Sequence, residues 1–185
     1  YDKSEVREIA KKLGLEVYNK PDSQDICFIP DGNYEEFLNE YSNRDSKKGK
    51  FVDSQGNMLG DHKGVINYTI GQRKGLGITF GKPTYVIDIN GSNNTIVLGS
   101  NDELFKTELI ASDVNFLELN FEELTEPLKV EAKIRYSSKP SEATITKIGE
   151  NRVKVEFVDS QRAITKGQSV VFYKGNKLVG GGIIE

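Results

Sequence analysis

The chain has 185 residues, 36% of them hydrophobic and 29% charged, with a net charge of −3. That balance excludes a disordered chain, and no apolar run approaches the ~18 residues a bilayer-spanning helix requires. One cysteine and one histidine exclude an intrachain disulfide and a tetrahedral zinc site built from these residue types alone.

The charge is uneven. Between positions 129 and 180, eleven cations face five acids, which leaves +6. A basic stretch of this kind suits a phosphate backbone, and it equally suits a solvated sheet face. The chain opens without methionine and without the charged and apolar regions of a secretory signal. It therefore reads as a cytoplasmic protein and as a piece of a longer one.

In chain order, residues 4–13 read as a short amphipathic helix. Ser4 is its expected cap, Val6, Ile9, Ala10 and Leu13 share a face, and Gly14 stops it. Residues 15–18 read as a strand and 34–41 as a second helix. Beyond Lys50, short β-rich runs take over at 51–52, 65–66, 84–89, 95–98, 130–136, 143–148, 153–158, 169–173 and 178–184. Gln55-Gly56-Asn57 is a turn, and Asn90-Gly91, Gly149-Glu150-Asn151 and Gly175-Asn176 mark hairpins. The run 118–126 reads as a loop or charged crossover. The expected fold class is mainly β: a short helical N-terminal remnant at 1–30, a small central β-roll at 31–103 and a C-terminal β-barrel at 104–185. With few helices to cover the sheets, their closure must protect the edges.

Four stretches carry chemistry-bearing residues. Cys27 lies in Lys20-Pro21-Asp22-Ser23-Gln24-Asp25-Ile26-Cys27-Phe28-Ile29, and it is either inert packing or a nucleophile, according to its thiolate fraction. His62 is 35 positions away, and nothing in the spacing makes it a base for that thiol. Thr69-Ile70-Gly71-Gln72-Arg73-Lys74-Gly75-Leu76-Gly77 places two cations in a glycine-rich loop. It lacks the order of a nucleotide phosphate loop, and a kinked hairpin with surface cations is the simpler account. Lys133-Ile134-Arg135-Tyr136 ends a strand with a planar cation beside an aromatic ring, a pair able to clasp phosphate or stack on a base; an edge-strand arginine with a half-buried tyrosine explains it as well. Gly167-Gln168 enters a strand at a turn, where a carboxamide can meet a base edge or sugar, and Gly180-Gly181-Gly182 suits close backbone approach, chiefly a structural signal.

Taken together, the Cys27 run, His62 with Gly64, the Thr69-to-Gly77 loop, Arg135-Tyr136, Ala163-Ile164 with Gly167-Gln168, and Gly180-Gly181-Gly182-Ile183-Ile184 follow the order and spacing of the tRNA-specific 2-thiouridylases. The resemblance covers essentially the whole chain. It implies a three-part assembly: an N-terminal ATP-pyrophosphatase domain with a Ser-Gly-Gly-x-Asp-Ser loop, a small β-domain, and a six-stranded barrel similar to those of translation factors. It implies replacement of the C2 oxygen of wobble uridine 34 by sulfur in tRNAs for Lys, Glu and Gln. ATP adenylates that oxygen, and a cysteine persulfide, charged by a desulfurase or sulfur-relay protein, supplies the sulfur.

Residue by residue, Cys27 matches the persulfide cysteine, and Arg135, Tyr136 and Gln168 match tRNA-contacting positions. Arg73 and Lys74 are possible RNA or domain-junction contacts. The phosphate loop and the family's second catalytic cysteine are absent from this sequence. The expectation is therefore a chain that binds no ATP, metal or membrane and does not thiolate tRNA alone. Two other readings stay open: a non-catalytic RNA-binding β-barrel module, and a protein-interaction domain.

Overall fold

A computed structural model of the chain describes residues 1–20, 37, 40–41, 47–78, 81–117 and 119–185. It divides into two units, Tyr1–Asp45 and Ser46–Glu185.

In the first unit, α1 (Lys3–Lys12) is capped by Asp2, not Ser4. The Asp2 carboxylate accepts from the Glu5 N–H at 3.0 Å while the Glu5 carboxylate accepts from the Asp2 N–H at 2.7 Å. This reciprocal pair satisfies two orphan donors at once, and Ser4 only adds its hydroxyl to Asp2. Gly14, at φ +69°, closes the helix: its N–H donates to Lys11 and that of Leu15 to Ala10, the paired closure a left-handed residue permits. The expected strand at 15–18 is instead a 3₁₀ turn, Glu16–Asn19. Its backbone closes locally, from Tyr18 to Leu15 and from Lys20 to Val17. Of the expected helix at 34–41, Phe37, Glu40 and Tyr41 are helical, and the rings of Phe37 and Tyr41 stack at 5.6 Å; the rest lies outside the described residues.

The second unit is built from strands. β1 (Gly49–Val52), β2 (Met58–His62), β3 (Tyr85–Asn90) and β4 (Thr95–Gly99) form one sheet in the order β2-β1-β4-β3. β1 and β4 run parallel and the other pairs antiparallel. Its core gathers Phe51, Tyr68, Leu76, Val86, Ile96 and Leu98. Val65 and Ile66 form a 3₁₀ turn, Val65–Asn67, where a strand was expected.

β5 (Phe105–Phe116), β6 (Leu128–Lys133), β7 (Ser141–Gly149), β8 (Arg152–Arg162), β9 (Ser169–Lys174) and β10 (Lys177–Ile184) close into a barrel in the order β10-β5-β8-β7-β6-β9. Full closure leaves no edge to protect. Alternate residues of each strand fill the interior, among them Ala132, Ile145, Val153, Val155, Val170 and Phe172. The glycine run at 180–182 behaves as its composition suggests. A Cβ on Gly180 would lie 2.4 Å from the Asn115 carbonyl, and one on Gly181 2.7 Å from that of Val170. Among the described residues of the run 118–126 there is one 3₁₀ turn, Phe121–Glu123. No described helix is long and apolar enough to cross a membrane.

Candidate nucleic-acid interface

β6 stops at Lys133, so Arg135 and Tyr136 do not end the strand as the sequence suggests but open the turn after it. Ile134 keeps the inward parity of Val130 and Ala132 and anchors the strand end in the core. Ser138 then closes the turn. Its N–H donates to the Arg135 carbonyl at 3.2 Å, and its hydroxyl accepts from the Arg135 N–H and donates to the Arg135 carbonyl. The turn holds Tyr136 almost wholly in water, 98% exposed, with the Lys133 ammonium 5.5 Å from its ring. That distance is within reach of a cation–π contact.

Gln168 arrives from the other side. Gly167, at φ +80°, makes the bend into β9. Its N–H donates to Ile184, and Ile184 donates back to the Gln168 carbonyl, both at 2.8 Å. The backbone is pinned and the side chain is exposed. Because β6 and β9 are neighbours, Arg135, Tyr136 and Gln168 line one cavity of ≈ 280 Å³, joined by Lys133 and Tyr173. In the sequence, Lys133 belongs to the stretch that ends in Tyr136 but is given no role, and neither is Tyr173. Period-2 parity along β6 and β9 is the signal that puts them on the outer face.

Arg135 is half-buried because its guanidinium has a second attachment. Nη2 donates to the Ala163 carbonyl and, at 3.1 Å, to the Thr165 hydroxyl. Ala163 is 1% exposed and sits at φ +56°, and its N–H donates to Leu104 at 2.8 Å. Next to it, Arg162 Nε donates to Asn101 at 3.2 Å, and its guanidinium lies 5.6 Å from the Tyr85 ring. These contacts join the barrel to the four-stranded sheet.

Arg73 and Lys74 lie elsewhere. Their loop is not a hairpin: the Gly71 N–H donates to Val86, and Val86 donates back to Gln72. The Gln72 carboxamide braces the turn, accepting from Thr69 and donating to the Lys74 carbonyl. Gly71 faces Ala163, whose Cβ would stand 3.2 Å from a Cβ placed there. The loop thus packs at the sheet–barrel junction. Arg73 lines a separate cavity with Leu76, Lys82 and Thr84, and Lys74 is exposed; neither lines the Arg135 cavity.

His62 is buried, with both ring nitrogens engaged, Nδ1 by the Gly64 N–H and Nε2 by the Asn94 carbonyl. It is a packing residue of the sheet. Cys27 lies outside the described residues. Among those described, no three His, Cys, Asp or Glu side chains gather to hold a metal.

Part of the basic segment is already neutralised. Lys147 pairs with Glu122, Arg152 with Glu185, and Lys154 with both Glu108 and Glu156. The Glu185 carboxylate raises Arg152 above its ordinary pKa, and Glu108 and Glu156 do the same for Lys154.

Comparison with known proteins fits this architecture. Three family descriptions match in chain order: a tRNA methyl transferase HUP domain over residues 1–31, a tRNA methyl transferase PRC-barrel domain over 35–100, and an aminomethyltransferase β-barrel domain over 106–184. The chain is 62% identical over its full length to the tRNA-specific 2-thiouridylase MnmA of Clostridioides difficile strain 630, and 60% identical to that of Clostridium kluyveri. The chain belongs to the tRNA-specific 2-thiouridylase family. It is also 60% identical to a second enzyme of that name, MnmA 2, from Clostridium tetani. The chain spans about half the length of these 2-thiouridylases, 51% in each case.

Proposed function

We propose that this chain is the tRNA-contacting and sulfur-carrying part of a tRNA 2-thiouridylase. The observation that supports this most directly is the meeting of Arg135, Tyr136 and Gln168 in one cavity. Three residues far apart in sequence supply a cation for phosphate, a ring for a base and a carboxamide for a polar edge. The relatives' name supplies the substrate class, tRNA, and the reaction class, 2-thiolation of uridine. In this reading residues 104–185 are the tRNA-binding barrel, 31–103 the central domain, and 1–30 a remnant of the catalytic domain. Cys27 carries the sulfur as a persulfide, received from a desulfurase or relay protein, and delivers it to C2 of wobble uridine 34 in tRNAs for Lys, Glu and Gln. The setting is the cytoplasm.

ATP is the activating co-substrate that the family implies. The N-terminus of α1 offers its phosphates no site, because the carboxylates of Asp2 and Glu5 fill it. The chain by itself is expected to be inactive in thiolation.

The test is binding of an unmodified tRNA-Lys transcript by the full chain, titrated with salt. The double variant Arg135→Ala/Tyr136→Ala is expected to lose at least about tenfold in affinity. Unchanged affinity would overturn the reading. The same cavity favours a second reading, a non-catalytic RNA-binding module, because it asks nothing of Cys27. Treatment with a persulfide donor separates the two: a trapped persulfide on Cys27 supports the carrier role, and an unreactive thiol supports the module.

A further inference from the structure

The outer face of the barrel carries two cavities that share one wall, the side chain of Tyr173. One is the cavity of Arg135, Tyr136 and Gln168. The other, of ≈ 420 Å³, is lined among others by Lys129, Glu131, Glu142, Val158 and Lys174.

Strand register explains how the two differ. On β9, Val170 and Phe172 point into the core, so Val171 and Tyr173 point out; on β6, Val130 and Ala132 point in, so Glu131 and Lys133 point out. Tyr173 pairs with Glu131, and Glu131 pairs with Glu142 on β7. The row across the three strands therefore reads Tyr173, Glu131, Glu142. One step along β6, Lys133 pairs with Val171. Two carboxylates directly opposite one another repel, and on that side of Tyr173 they offset the cations of Lys129 and Lys174. On the other side stand Lys133 and Arg135. Tyr173 marks the border between a groove of balanced charge and a basic one, with the exposed ring of Tyr136 across the basic one.

A ring to stack on, a carboxamide for a base edge and two cations for the flanking phosphate are what an unpaired nucleotide requires. We infer that Tyr173 and Lys133 complete, with Arg135, Tyr136 and Gln168, a pocket for one unpaired nucleotide of the bound RNA. The base lies against Tyr173 and its phosphate against Lys133. The strand keeps to this side because, among the described residues, no acid lines the cavity beside Lys133 and Arg135, whereas Glu131 and Glu142 offset Lys129 and Lys174 on the other. This rests on the RNA-contact reading above, and the test keeps the two apart.

Binding of the full chain to the tRNA-Lys transcript is compared with binding to a fully paired RNA duplex. Tyr173→Leu is expected to weaken transcript binding about tenfold with the salt slope unchanged, and to alter duplex binding by less than about twofold. Tyr173→Phe keeps the ring and is expected to bind within about twofold of the parent. Lys133→Ala is expected to lower the salt slope by about one. Glu142→Gln is expected to bind the transcript at least as tightly as the parent. If Tyr173→Leu binds like the parent while Arg135→Ala does not, the pocket is overturned and the RNA-contact reading survives. If neither variant changes affinity, both fall. Equal losses on transcript and duplex, or a loss in Tyr173→Phe as large as in Tyr173→Leu, overturn the stacking role.

Discussion

Arg135 donates through Nη2 to the carbonyl of Ala163, and Ala163 donates its own N–H to Leu104, so the cation at the mouth of the cavity is tied to the segment linking barrel and sheet. Removing it has two separable effects. The Ala163 carbonyl still accepts from the Thr165 hydroxyl at 3.0 Å, so Arg135→Ala should cost folding only about 1 kcal/mol. That corresponds to a thermal midpoint about 2–4 °C lower. RNA binding should suffer more, by about 1–3 kcal/mol, with a smaller salt slope. Arg135→Lys keeps a charge but loses the planar fork that meets Ala163 and Thr165, and it should recover only part of the affinity. Calorimetry and salt-titrated binding on the same samples check both effects; a large fall in stability with unchanged binding would make Arg135 a structural residue only.

Arg162 makes a different prediction. Its guanidinium joins Asn101 and Tyr85, both outside the barrel strands, to the end of β8. Arg162→Ala should cost about 1 kcal/mol. Arg162→Lys should restore the cation over Tyr85 without the planar fork, and therefore recover less than the full amount. Denaturant midpoints for the three proteins test this, and an unchanged midpoint in Arg162→Ala contradicts it.

Gly49 allows a contrast within one sheet. A Cβ there would lie 2.1 Å from the Asn94 carbonyl and 2.6 Å from the His62 ring, whereas one at Gly91 meets nothing within 4 Å. Gly49→Ala must push β1 away from its neighbours and should cost about 3 kcal/mol or more. Gly91→Ala should stay within about 0.5 kcal/mol. Equal midpoints for the two variants would show that the sheet accommodates the extra atom.

The strands that the sequence shows plainly are those with clean alternation between turn residues, such as β3 and β4 around Asn90-Gly91 and β7 and β8 around Gly149. β5 is hidden because its alternation breaks. Its register against β8 shifts between Lys106 and Glu108, and Asp113 sits at φ +48°. The buried positions Leu109 and Ala111 are then followed by Val114, out of step with a period of two. β2 is hidden because its one buried residue is His62, which is polar. Arg135, Tyr136 and Gln168 are legible as chemistry-bearing residues beside an equally good structural account, and the resemblance tips the balance toward contact with tRNA. Their meeting depends on β6 lying beside β9 in the closed barrel, a pairing that no local pattern in either strand encodes.

His62 gives the pH dependence. It is 2% exposed. Nδ1 accepts from the Gly64 N–H at 3.0 Å and so carries no proton; Nε2 carries it and donates to the Asn94 carbonyl at 3.1 Å. Protonating the ring would break the first of these bonds and bury a charge, and burial accordingly holds the imidazole below its ordinary value of 6.5. The unfolded chain therefore binds this proton more readily than the folded one, and stability rises with pH through the window between the two values. The contribution is complete above 6.5 and is lost as pH falls through the lowered folded value. The chain has one histidine, so no other side chain ordinarily titrates in that window. Urea midpoints measured from about pH 8 down to about pH 5 should fall for the parent. His62→Phe preserves ring packing against Phe51 and Tyr68 but removes both hydrogen bonds. It should be less stable by about 1–3 kcal/mol at neutral pH and show a flatter profile below about 6.5. Parallel profiles for the two proteins would mean that His62 titrates as freely folded as unfolded.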